Sequence, residues 1–248
     1  MAGKSSIERI GLYATAAFFL GATLTMAVTG TTVLPDANAA VEEIDEAADK
    51  RWAKEIMNGG YILHFRHAER DKWTDVQMYD ALESDVHANG ENGSRFAEDD
   101  YFAGAVCLNA RGKIQAKAMG ETVEHVGLPV GPVYSSPSCR ARQTADLTFG
   151  GVDEMNRLLV HRGPYTESES GRVAKLRDLY LSLPVEEGKN TVVSAHNQVV
   201  ANGMFANDTG KTRLGEGGFY VISQNDGELV LEHEFHNFLQ FSKAFYTR

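Results

Sequence analysis

The sequence predicts an α/β fold: a three-layer α/β/α sandwich on a mainly parallel sheet, with an antiparallel hairpin at its C-terminal edge. Three observations predict it. Short β-rich runs alternate with helical-period segments, the order of a parallel sheet covered on both faces. The run Thr191-Val192-Val193-Ser194-Ala195 carries no charge and reads as a buried strand. The tail carries two period-two runs, Phe219–Ser223 and Glu228–Phe235, joined by Asn225-Asp226-Gly227, a strong hairpin signal.

The elements follow in order. Ile44, Ala48, Trp52 and Ile56 recur at four-residue spacing within 41–57, and Gly59-Gly60 follow, so an amphipathic helix with a C-terminal stop is expected. A strand over 61–66 comes next. The stretch 71–107 breaks the rhythm with Asp, Glu, Asn and Gly, among which Trp73, Tyr79, Tyr101 and Phe102 are scattered. Helical spacing returns over Ala110–Val126, and a strand is predicted over 132–136. A helix over 139–148, a strand over 157–162 and a helix over 170–183 follow. Pro184 to Lys189 is a turn, 191–196 a strand and 198–206 a helix. With no repeat and no low-complexity linker, residues 40–248 read as one domain carrying an insertion at about 71–107.

The first 39 residues do not read as part of that domain. Lys4 and Arg9 precede a charge-free stretch from Ile10 to Leu34, and Ala37-Asn38-Ala39 closes it. That is a secretory signal with cleavage expected after Ala39; the rival reading is an uncleaved membrane anchor, for which the stretch is long enough. Both put the remainder outside the cytoplasm, in the periplasm or the extracellular space. The net charge is −10, and removing residues 1–39 takes away Lys4, Arg9, Glu8 and Asp36, two of each sign, so it stays −10. An acidic chain without a basic stripe is a poor nucleic-acid binder. Cys107 and Cys139 are the two cysteines; they either pair or sit as small buried residues, which sequence alone does not decide. No His/Cys cluster has metal-ligand spacing, so neither a metal nor a cofactor is expected.

The residues that carry chemistry stand at strand ends. Arg66-His67-Ala68-Glu69-Arg70 follows the first strand, Ser135-Ser136 ends the second, and His196 ends the Thr191 run. In open α/β sheets ligands bind beyond the carboxyl ends of the strands, so these distant segments should meet at one edge. Imidazole can serve as a nucleophile, and guanidinium forks hold phosphate oxygens.

Three ordered blocks resemble the histidine phosphatase superfamily, the phosphoglycerate-mutase-like group. Arg66-His67-Ala68-Glu69 is similar to its Arg-His-Gly-Glu signature, with Ala in the Gly place. Cys107-Leu108-Asn109-Ala110-Arg111-Gly112 with Gln115-Ala116 resembles the segment that opens the next family helix. Ser135-Ser136-Pro137 through Arg140-Ala141 and Gln143-Thr144-Ala145 resembles the second block, and Ala195-His196-Asn197 the third. The resemblance implies a phosphatase in which His67 is the nucleophile and forms a phosphohistidine. Arg66 and Arg140 would bind the phosphate, Arg70 would add a further contact, and His196 would donate to the developing charge. The partner it implies is a small phosphorylated substrate; a membrane enters only if residues 1–39 stay uncleaved.

The leaving oxygen also needs a proton. Asn197 stands where one branch of the family has Asp, so that donor is absent, and Glu167 and Glu216 are the candidates for general acid. The 71–107 insertion is expected to act as a lid that sets substrate choice. Arg142, two positions from Arg140 on a helix, should point away from the site. His64, His87, His125, His161, His233 and His236 match no motif and are read as structural or surface residues. Two other functions fit the same residues: a non-catalytic phosphate-binding module of this fold, and a mutase that moves phosphate between hydroxyls.

Overall fold

The computed structural model describes residues 45–71, 104, 106–160, 168–197, 199–207 and 213–247. Its strands are β1 (Ile62–Arg66), β2 (Val130–Ser135), β3 (Glu154–Met155), β4 (Asn190–Ala195), β5 (Phe219–Asn225) and β6 (Glu228–Phe235). They form one sheet in the order β3-β2-β4-β1-β5-β6. Pairs β1–β4, β2–β4 and β2–β3 are parallel, whereas β1–β5 and β5–β6 are antiparallel. The mainly parallel α/β fold with an antiparallel edge is therefore present.

Register decides where the loops emerge. Arg66 is level with Ala195, and Ser135 with Ser194, so the chain leaves β1, β4 and β2 at one edge of the sheet. β5 runs the other way and begins there, with Phe219 opposite Phe65. The two central parallel strands bury nearly every side chain, as strands covered on both faces must.

Helices α1 (Glu46–Glu55), α2 (Ala110–Val126), α3 (Cys139–Phe149) and α5 (Phe238–Tyr246) cover one face, and α4 (Glu169–Ser182) the other. Strand alternation supplies both cores: Leu63 and Phe65 of β1 join the first, Ile62 the second. Phe65 stacks on Phe219 with centroids 4.5 Å apart, and truncating it to Ala would cost about 3–5 kcal/mol. α2 starts where Asn109 accepts from the Gly112 N–H (2.7 Å) and stops at Gly127, whose φ of 69° is the left-handed cap. The β5–β6 turn places Asp226 at φ 50° and Gly227 at φ 78°, the two positive values a primed hairpin turn requires.

Three segments differ from the sequence expectation. Residues 157–159 form a single 3₁₀ turn, because the Asn156 side chain accepts from the Leu158 N–H and bends the chain after a two-residue β3. The described part of 198–206 is a series of turns, with Gly203 at φ 82° interrupting any helix. Helix α5 was not expected; Asn237 caps it, and Phe238, Phe241 and Ala244 bury one stripe. Cys107 and Cys139 are joined in a disulfide.

The chain divides into Met1–Glu42 and Glu43–Arg248, and every element above lies in the second unit. The expected signal or anchor, most of the 71–107 insertion and Glu167 lie outside the described residues. Among the described residues no helix is long and apolar enough to cross a membrane.

Candidate active site

β1 delivers Arg66 and His67 to the sheet edge, and the backbone fixes both. The Arg66 N–H donates to Gly218 O (2.9 Å) and the His67 N–H to Ala195 O (3.1 Å). The His67 ring is 5% exposed, and its Nδ1 lies 2.7 Å from Ala68 O. A carbonyl can only accept, so Nδ1 carries the proton and Nε2 keeps its lone pair. Burial pushes the His67 pKa well below the usual imidazole range; Arg140 lowers it further, the Ala68 carbonyl opposes this, and Arg66 and Arg70 add smaller downward pushes. The ring is thus a neutral imidazole with an open nitrogen, held among three guanidiniums.

His196 leaves the end of β4 beside it. The two ring centroids are 5.3 Å apart, with planes at 64°. Arg140, 1% exposed in the first turn of α3, places Nη2 3.4 Å from His196 Nδ1 and donates from Nη1 to Val106 O (3.3 Å). The Ser136 and Ser138 hydroxyls lie 3.2 and 3.3 Å from His196 Nε2. Ser138 occupies the N-cap of α3 yet makes no side-chain cap bond, because its hydroxyl turns to His196 instead.

Behind His196 sits His64, fully buried. Its Nε2 lies 3.2 Å from His196 O and its Nδ1 2.5 Å from the Tyr180 hydroxyl, and burial lowers its pKa to about 4.

A third wall comes from the segment entering β5. Arg66 donates to Leu214 O (2.5 Å) and pairs with Glu216 at 3.2 Å, their side chains 12% and 16% exposed. Asn197 also donates to Leu214 O (3.0 Å), and the Gly217 N–H reaches the carbonyls of Arg66 and His67, 3.2 Å each. Burial draws the Arg66 guanidinium pKa down, Glu216 opposes this, and Arg213 and Arg140 add to the lowering. Gln115 bridges the two sides: its Oε1 accepts from the Glu69 N–H (2.9 Å) and its Nε2 donates to Glu216 O (2.8 Å).

A model of the histidine phosphatase superfamily (branch 1) matches residues 102–158. Over that stretch the chain is similar to the superfamily. The matched stretch holds Ser136, Ser138, Arg140 and both cysteines, while His67 and His196 flank it. Among solved structures, the chain is similar to the protein histidine phosphatase SixA complexed with tungstate, at 14% identity and TM-score 0.45, over 71% of this chain and 96% of that one. It is similar to phosphoglycerate mutase from Thermus thermophilus at 16% identity and TM-score 0.44, over 65% and 92%. A phosphoserine phosphatase mutant from Entamoeba histolytica in complex with phosphoserine also has 16% identity and TM-score 0.44, over 70% and 95%. No curated protein matches the chain.

The fold thus gathers His67, His196, Arg66, Arg70, Arg140 and Glu216 at one sheet edge. Arg70 acts on His67 electrostatically and donates to Asp71 O (2.7 Å). Arg142 donates instead to Pro137 O (2.9 Å). Sequence reasoning missed the roles of Ser138, His64 and Glu69. The Glu69 carboxylate accepts from Asn109 (3.1 Å) and Arg111, so it ties the loop after His67 onto α2. Gly112 permits that approach: a Cβ there would lie 1.9 Å from Glu69 O. The signal in each case was a polar residue inside or beside a matched block.

Proposed function

We propose that the chain is a metal-independent phosphatase that hydrolyses small phosphomonoesters through a phosphohistidine on His67. The observation that carries this reading is the open Nε2 of His67, kept neutral by burial and faced by three guanidiniums. A dianionic phosphoryl group complements that positive field. Nε2 attacks phosphorus opposite the leaving oxygen, the P–N bond forms and the P–O bond breaks. Water then cleaves P–N and releases inorganic phosphate. Fixed guanidiniums that meet charge as it develops need no reorganisation, which is why positioned cations can supply most of the rate. His196 lies beside His67, with its Nε2 against the Ser136 and Ser138 hydroxyls and its Nδ1 against Arg140, so it orients the guanidinium that would hold the phosphoryl oxygens. Glu216, paired with Arg66 at 3.2 Å, is our choice as proton donor to the leaving alkoxide.

Turnover of p-nitrophenyl phosphate tests the reading. Activity is expected to survive EDTA and to fall by about a thousandfold or more in His67→Asn. Loss on chelation, or full activity in His67→Asn, would overturn it. The binding-module reading draws on one observation, the engagement of Arg66 with Glu216 and Leu214 O. It predicts phosphate binding without turnover between pH 4 and 8.

Export belongs to the same proposal. The 1–39 segment reads as a signal or an anchor, and a disulfide suits an oxidising compartment. N-terminal sequencing of exported protein decides between cleavage and anchoring, and an intact Met1 would sink cleavage.

A further inference from the structure

We propose that the Cys107–Cys139 disulfide positions Arg140, so that anion binding beside His67 and His196 depends on the oxidised chain; this rests on reading Arg140 as an anion-holding residue. Three consecutive residues tie the approach to α2 onto the first two turns of α3. Val106 O accepts from Arg140 Nη1 (3.3 Å), Cys107 is bonded to Cys139, and the Leu108 N–H donates to Gln143 Oε1 (2.8 Å). Val106, Cys107 and Leu108 are no more than 5% exposed. The covalent tie is the middle one of the three, one residue from the acceptor of Arg140 on one side and from Arg140 itself on the other. The first turn of α3 also lacks the usual hydroxyl cap, because Ser138 faces His196. A helix start without its cap frays more easily. The disulfide holds that turn, and with it the guanidinium that faces both His196 and His67.

Reduction releases it. A dithiol reductant attacks one sulfur as its thiolate, forming a mixed disulfide and freeing one cysteine; its second thiol resolves the mixed disulfide and frees the other. Two electrons pass from the dithiol to the protein, and two protons end on Cys107 and Cys139. The Val106 carbonyl and the Arg140 helix can then separate, and the guanidinium loses its fixed aim. Linkage makes the effect reciprocal, so a bound anion should oppose reduction by the same factor.

Tungstate and inorganic phosphate binding are measured by calorimetry on oxidised protein, on protein reduced with a dithiol, on Cys107→Ser/Cys139→Ser and on Arg140→Ala. The expected result is a roughly five- to twentyfold weaker affinity for the reduced protein and the double variant, and loss of binding in Arg140→Ala. Unchanged affinity in the first two, with binding lost in Arg140→Ala, overturns the positioning role and leaves the site reading standing. Unchanged affinity in Arg140→Ala overturns the site reading instead. Near-UV dichroism reports whether the reduced chain is folded. If it is not, the comparison is repeated at low temperature with a stabilising osmolyte. A chain still unfolded there makes the bond a staple of the fold, and overturns the proposal.

Discussion

Arg140 meets His196 edge-on, with Nη2 3.4 Å from Nδ1. A guanidinium has hydrogens to give and no lone pair to receive, so Nδ1 accepts and the ring proton sits on Nε2, towards Ser136 and Ser138. The same cation is the largest charged influence on His67, second only to burial in lowering its pKa. One side chain therefore sets the tautomer of one histidine and helps burial keep the other neutral.

An activity prediction follows from that double role. Because burial and Arg140 hold the His67 pKa well below 6.5, the imidazole stays neutral into mildly acidic solution, and with His67 as the proposed nucleophile kcat/KM should fall only well below that pH. Arg140→Gln removes a cation, so the acidic limb should move upward while kcat/KM drops about 10- to 150-fold, equivalent to the roughly 1.5–3 kcal/mol of a charged hydrogen bond. A pH–rate profile on p-nitrophenyl phosphate measures both; a limb that moves down would contradict the assignment.

Stability should respond to acid in the opposite sense to activity's tolerance. His64, His67 and His233 all have lowered pKa values in the folded chain, with burial the first cause. Between 6.5 and the folded values the unfolded chain binds protons that the folded chain refuses. Stability is thus fully present above about pH 6.5 and is lost as pH falls through that window. For His64, which stops near 4, the contribution is about 3 kcal/mol. The urea midpoint should be lower at pH 4.5 than at pH 7.5, and His64→Gln should flatten that slope.

Gly112→Ala should do more harm than its size suggests. The added Cβ would lie 1.9 Å from Glu69 O, in backbone that cannot step aside alone. A cost of about 1–3 kcal/mol is expected. Turnover should fall as well, since Glu69 is two residues from His67. Thermal unfolding and steady-state kinetics on the one variant check both.

Glu216→Gln separates a proton donor from an anchor of Arg66. As a donor, Glu216 matters most where the leaving alkoxide is poor. The variant should then lose about 10²–10⁴-fold on an alkyl phosphate and far less on p-nitrophenyl phosphate. Equal loss on the two substrates would leave it only the 3.2 Å pair with Arg66.

What sequence could foretell follows from where each signal lies. α2 was legible to the residue because Asn109 and Gly127 are local caps, and β1 and β4 because their whole length is buried. The 157–159 turn was not, since one Asn156 side-chain bond outweighs the apolar run Leu158-Leu159-Val160. α5 is rich in aromatics, which favour strands in isolation; its packing against Phe219 and Phe235 makes it helical. The histidines and arginines stood out as motifs. Ser138, His64 and the cysteine pairing did not, because their partners are 30 or more residues away and only the folded distances reveal them.

The Ala68 carbonyl has a regiochemical consequence. By occupying the pros nitrogen of its neighbour, it leaves the tele nitrogen as the one open to phosphorus, so if His67 carries the phosphoryl group, alkali-denatured protein should yield a single phosphorylated isomer. Phosphorus resonance spectroscopy can read that isomer without any knowledge of the natural ester.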